Sequence, residues 1–176
     1  MPPQSSRMSE SNPGPVSLLS HDAVRIKVSS VLNKDNANYG KQHLTDRSVE
    51  TCWNSDQGSP QFIVVDFGRS VHVDAIHLTF QGGFVGSPCQ VLANAGSDGT
   101  TTLVPCWTAH PEDSNAAQVF EVPQDLRGQR VSRIKLVFPS SSDFYGRVTV
   151  YNLDFVGREP SKRRHQSSAS SPSSTP

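Results

Sequence analysis

The sequence predicts an all-β chain closed into one sandwich or jelly roll, and three observations carry that expectation. Apolar residues alternate with period two through several short runs, no window holds a sustained 3.6-residue stripe, and Gly, Pro, Asp and Ser separate the runs. Many short strands joined by turn-rich links bury their apolar faces by packing as two sheets. With 176 residues there is room for one domain with a sizeable core, and too little for two ordinary ones.

Taken in order, residues 1–21 are rich in Ser, Pro and polar side chains and show no apolar period, which predicts a disordered tail. The folded body is expected over residues 22–157. The stretch around Tyr39 to Leu44 suits a helical turn. Phe62 to Val65 form a short dense strand, and Val73, Ile76, Leu78 and Phe80 continue the signal. Further strands are expected at Val91 to Ala95, Leu103 to Trp107, Gln118 to Val122, Val131 to Val137 and Val148 to Phe155, giving about eight in all. Residues 158–176 begin with a basic cluster and run into Ser and Pro, which predicts a second disordered tail.

Composition excludes several function classes. Lys plus Arg number 16 and Asp plus Glu number 16, so no bulk field draws the chain to nucleic acid or to an acidic membrane. The apolar run at Phe62 to Val65 falls far short of the about 20 residues that span a bilayer. Cys52, Cys89 and Cys106 are odd in number and widely spaced, without a disulfide framework or a Cys-x-x-Cys pair. The absence of Asn-x-Ser/Thr sequons and of a basic, then apolar, start adds to an expected intracellular setting, in nucleus and cytoplasm. Lys162-Arg163-Arg164 has the character of a weak nuclear-import element, although three basic residues in such a tail are common by chance. The six histidines lack ligand spacing, and there is neither a Gly-x-Ser-x-Gly elbow nor a Gly-rich phosphate loop. Catalysis has no support in the sequence, and a non-enzymatic binding role is expected.

From Leu44 to Gly68 the chain reads LTDRSVETCWNSDQGSPQFIVVDFG. This resembles the opening signature of discoidin, or coagulation factor 5/8 type C, domains, with Asp46, Thr51, Trp53, Phe62, Asp66 and Gly68 on the pattern. Leu44, Arg47 and Ser48 depart from it. The segments KVSSVLNKDNANYGKQHLTDRSVETCWNSDQG, IHLTFQGGF and SDFYGRVTVYNLDFVG are similar to a family of small nuclear-receptor-associated proteins built on this domain. The resemblance implies a galactose-binding-like jelly roll, a protein partner such as an orphan nuclear receptor, and a corepressor that hinders receptor dimerisation. The same fold implies two alternatives, a carbohydrate-binding module for galactose-type sugars and an adaptor subunit of a larger intracellular complex.

The resemblance also ranks the residues. Trp53 is expected in the core beneath its loop rather than as a sugar-stacking platform. Asp46 and Thr51, with the carbonyls of His43 and Ser48, would supply oxygens to a possible weak calcium site, whose distal position falls on the uncharged Asn152. No cofactor is otherwise required. Partner binding is placed on loops around 33–43, 81–87 and 143–147, through Tyr39, Gln81, Phe84, Asp143, Tyr145 and Arg147. Aromatic and Arg side chains carry much of the energy of protein interfaces. Within Asp143-Phe144-Tyr145-Gly146-Arg147, Phe144 is assigned to the core and Tyr145 and Arg147 to the surface. Asn54 and Asp56 offer polar atoms to a sugar hydroxyl or a peptide backbone.

Overall fold

A computed structural model describes residues 13–95 and 101–160. Nine strands join in one antiparallel network, and the long strand β4 (Gln61–Phe80) divides it into two facing sheets. The first half of β4 pairs on one side with β2 (Arg25–Val28) and on the other with β8 (Val131–Phe138), which continues through β5 (Cys89–Ala95) to β6 (Val104–Ala109). The second half pairs with β7 (Ala117–Glu121) and with β9 (Thr149–Arg158), and β9 also carries β1 (Val16–Ser17) and β3 (Trp53–Asn54). The break in pairing with β8 between Asp66 and Val71 marks where β4 leaves one sheet for the other. A β-bulge at that point bends and twists the strand.

Alternation explains the closure. Ile63, Val65 and Phe67 point inward along the first half of β4, and Ile76, Leu78 and Phe80 do so along the second, all within 2% of full burial. They meet Leu136 and Phe138 of β8 and Leu153 and Phe155 of β9. Edge-to-face ring pairs cross the core, Phe67 with Phe155 at 5.5 Å and Phe80 with Phe138 at 5.9 Å. Each such side chain contributes roughly 1.5–3 kcal/mol of transfer energy. Trp53 is fully buried, as its place in the sequence implies, and its indole N–H donates to the Ser30 carbonyl at 2.9 Å.

The start of the domain differs from expectation. Val16 and Ser17 pair with Gly157 and Val156, and Leu18 is fully buried in the core. The fold therefore includes residues ahead of position 22. A two-residue strand is too short to display a period, which is why composition alone assigned it to a tail. Strand β9 runs to Arg158, and Glu159 pairs with Arg69 at 2.7 Å, so the ordered body also passes position 157. Residues 1–12 and 161–176, including Lys162-Arg163-Arg164, lie outside the described residues. The expected helical turn is present as a 3₁₀ turn at Lys41–Leu44, preceded by the short helix α1 (Asn36–Tyr39).

Candidate functional site

At one end of the sandwich three loops converge on Arg147. Its guanidinium forks onto Asp143, with Nε 2.9 Å from Oδ2 and Nη2 3.1 Å from Oδ1, while its own backbone N–H donates to Oδ2 at 3.1 Å. The guanidinium holds the Asp143 carboxyl below the ordinary carboxylate range. The Arg147 Cζ lies 5.1 Å from the Phe84 ring centroid and 5.6 Å from that of Tyr145, both inside cation–π range. Tyr145 in turn meets Phe144 edge to face at 5.2 Å. The result is a row of three aromatic rings organised by one guanidinium whose charge is matched by Asp143.

Backbone hydrogen bonds fix each loop. The Gln81 carbonyl accepts from Phe84 N–H at 3.0 Å, closing the turn, and Phe84 O accepts from Thr149 N–H of β9 at 3.0 Å. Gly82 N–H donates to Asn115 Oδ1 and Gly83 N–H to Asp113 Oδ1, each at 2.7 Å. On the other side Gly58 N–H donates to the Tyr145 carbonyl at 2.8 Å. Gly146, at φ +81, has no room for a side chain, since a Cβ would lie 2.8 Å from the Gly58 oxygen.

The 56–61 segment that carries Gly58 is itself clamped by Gln61, 4% exposed. The Gln61 amide nitrogen donates to the carbonyls of Asp56 (3.0 Å) and Gly58 (2.7 Å), and its oxygen accepts from Ser29 (2.5 Å) and Ser30 (2.8 Å). All of its hydrogen-bonding capacity toward this loop is used. Gln61 was missed by sequence reasoning; its one signal was a polar residue at the head of an apolar strand.

Of the expected partner-binding residues, Gln81, Phe84, Asp143, Tyr145 and Arg147 come together. Tyr39 does not join them: it ends α1, half-buried, and no hydrogen bond or ring contact links it to the cluster. Asp56 flanks the cluster through the Gly58 turn. Asn54 has its Oδ1 buried, on the strand position that pairs with Thr149, whose Oγ1 is equally buried; neither atom has a hydrogen-bond partner among the described residues. The expectation for Phe144 is corrected, because it is 93% exposed and Tyr145 is 56% exposed.

Two of the expected calcium ligands, Asp46 and Thr51, are hydrogen-bonded to each other. Asp46 Oδ2 accepts from Thr51 Oγ1 at 2.6 Å and faces His43 Nδ1 at 2.9 Å, and Oδ1 accepts from Ser48 N–H at 3.0 Å. The Thr51 hydroxyl first, then the Ser48 N–H and His43, hold this carboxyl below its ordinary range. Asn152 lies on β9 opposite Thr79 and lines a groove with Arg47 and Ser48 of the Asp46 loop. Asp46 is thus engaged as the organiser of its own loop.

The fold and the loop cluster define a discoidin-like, galactose-binding-like sandwich. It superposes on the factor 5/8 type C domain of a Bacteroides fragilis protein with a TM-score of 0.68, at 13% identity, over 85% of this chain and 99% of that one. A family 32 carbohydrate-binding module from C. perfringens NanJ, solved with galactose, gives 0.64 at 15% identity, over 81% and 98%. At such identities the likeness is one of fold alone.

Relatives in sequence are more specific. The nuclear receptor 2C2-associated protein of Xenopus laevis is 46% identical over 141 residues, 80% of this chain and 98% of the relative. The Homo sapiens protein of the same name is 39% identical over 133 residues, 76% and 91% respectively. The chain belongs to the nuclear receptor 2C2-associated protein family. No protein-family model matches it.

Proposed function

We propose that this chain is a non-catalytic protein-binding module that associates with an orphan nuclear receptor through the Phe84–Tyr145–Arg147 loop end. It acts there as a corepressor, in nucleus and cytoplasm, by hindering receptor dimerisation. The observation that carries the reading is the pre-formed aromatic–guanidinium cluster, exposed at Tyr145 and held rigid by Asp143, Gln61 and Thr149. Such clusters supply affinity with little ordering on association. The relatives' name supplies the partner class.

The sugar-binding alternative draws on the structural neighbours and loses support at the residues meant to serve it. Of Asn54 and Asp56, the two residues assigned to it, Asn54 buries its carbonyl oxygen. An adaptor role in a larger complex would use the same cluster toward a different protein.

The test is capture of recombinant nuclear receptor 2C2 by the full chain, with the receptor's dimer fraction followed by native mass spectrometry. Wild-type chain is expected to capture receptor and reduce its dimer. The Tyr145→Ala and Arg147→Ala variants are expected to lose at least tenfold in affinity. Undiminished capture by both variants rejects the surface, no capture rejects the partner, and capture with an unchanged dimer fraction rejects the mechanism.

A further inference from the structure

The loop end carries more than its organised cluster. Phe144 projects from it at 93% exposure, the most exposed large apolar side chain among the described residues. With Tyr145, 56% exposed, it forms a contiguous pair of aromatic rings facing water, and such a patch on a tied loop is a good anchor for an interface. The ring is also steered. Its edge-to-face contact at 5.2 Å with Tyr145, which Arg147 stacks against, restricts its directions.

Carboxylates stand on two flanks of the knob. Arg147 is neutralised by Asp143 and presents little net field. On one flank stands Asp56, two residues before the Gly58 N–H that holds the Tyr145 carbonyl. On the other stand Glu112 and Asp113, with Asp113 Oδ1 accepting from Gly83 N–H and lying 3.4 Å from Ser142 Oγ. None of these three carboxylates forms an ion pair among the described residues. Cations nearby are Arg47, which lines the neighbouring groove with Asn115 and Tyr151, and Lys34, whose backbone N–H donates to the carbonyl of Val31, next to the Ser30 that holds Asp56. An apolar knob in an acidic collar is complementary to an apolar pocket with a basic rim. The same collar opposes approach to an anionic membrane.

We infer that Phe144 is the anchor of the interface, inserting into an apolar cleft of a protein partner whose rim carries Lys and Arg, with Asp56, Glu112 and Asp113 steering the encounter. This rests on the protein-binding reading and adds the chemistry of the partner's surface. The experiment measures affinity and association rate for immobilised nuclear receptor 2C2 at about 50 mM and about 500 mM salt, which spans strong and weak screening. It uses wild type, Phe144→Ala and the triple variant Asp56→Asn, Glu112→Gln, Asp113→Asn. The amides keep oxygen acceptors for Gln57 N–H and Gly83 N–H, and far-UV circular dichroism checks that each variant folds.

Phe144→Ala is expected to weaken binding on the order of 30-fold at both salts, the magnitude of an interface hot spot. Wild-type association is expected to slow at high salt, and the triple variant to start about 3–10-fold slower and lose the salt dependence. If receptor is captured but Phe144→Ala stays within about twofold of wild type, or association is indifferent to salt, the inference fails while the protein-binding reading stands. If wild type captures no receptor, both fall. If phosphatidylserine vesicles bind wild type and lose Phe144→Ala while receptor binding is unaffected, the knob belongs to a membrane and the inference is overturned.

Discussion

The clamp at Gln61 offers the sharpest test of how the frame holds the site. Replacing Gln61 with Leu keeps the side-chain bulk and removes both donors to the carbonyls of Asp56 and Gly58. The change breaks four hydrogen bonds, two to these carbonyls and two from Ser29 and Ser30, each contributing about 0.5–1.5 kcal/mol. Water reaching the exposed Gly58 turn partly offsets the loss, which sets an expected cost of about 3 kcal/mol. For a domain of this size each kcal/mol lowers Tm by about 2–5 °C, giving a fall of roughly 6–15 °C by calorimetry or circular dichroism. Gln61→Glu adds a signature in pH. Its carboxylate would face two carbonyl oxygens in a buried site, so the folded state favours the neutral acid and raises its pKa above the unfolded value of about 4.3. A raised carboxyl is best tolerated below that unfolded value, and the penalty grows as pH climbs toward the folded value. The deficit of Gln61→Glu relative to wild type should therefore widen between pH about 4.5 and about 7.5, while that of Gln61→Leu stays constant. Two variants with deficits under about 1 kcal/mol, or a Glu deficit that does not change with pH, would show that the amide does not hold the loop.

Two other expectations follow from the loops. Both ring nitrogens of His43 face oxygen acceptors, Asp46 Oδ2 and the Ala37 carbonyl, with the Gln42 amide 3.3 Å from Nε2. Asp46 first and then Ala37 raise its pKa above 6.5, so its contribution is complete below that value and is lost as pH rises through the folded value. Wild type should lose stability to urea between pH about 5.5 and about 8.5, and His43→Gln should lack that slope; identical slopes would remove His43 from the loop's support. A matched pair of glycines separates strain from crowding: Gly83, at φ +86, has nothing within 4 Å of a would-be Cβ, whereas Gly146, at φ +81, is crowded by Gly58 and Ser59. Gly83→Ala should cost about 1 kcal/mol in chemical denaturation, and Gly146→Ala at least twice that; equal costs would contradict the packing of the 58 turn on the 146 turn.

The difference between what the chain spells out and what it conceals follows from where order is repeated. The strands β4, β8 and β9 were legible because each runs for eight or more residues and alternates buried with partly exposed positions for five or more of them in a row, long enough for a period of two to show. The pairs Val16–Ser17 and Trp53–Asn54 hold too few residues for any period. Strand β2, Arg-Ile-Lys-Val, is an edge strand with no fully buried residue. Loops have no period at all. Asp143, Tyr145 and Arg147 could be assigned together because two aromatics, an acid and an arginine fall in one short loop, and aromatic and Arg side chains carry interface energy. The direction of Phe144 could not, because nothing local decides whether a loop aromatic faces core or water. Phe80, Val85 and Val148 are buried in the core while Phe144 stands 93% exposed. The loop that carries Phe144 is tied by its own bonds, since Ser141 Oγ donates to the Arg147 carbonyl, Arg147 N–H to Asp143 and Gly58 N–H to the Tyr145 carbonyl, and these ties hold the ring outward whether or not a partner is present.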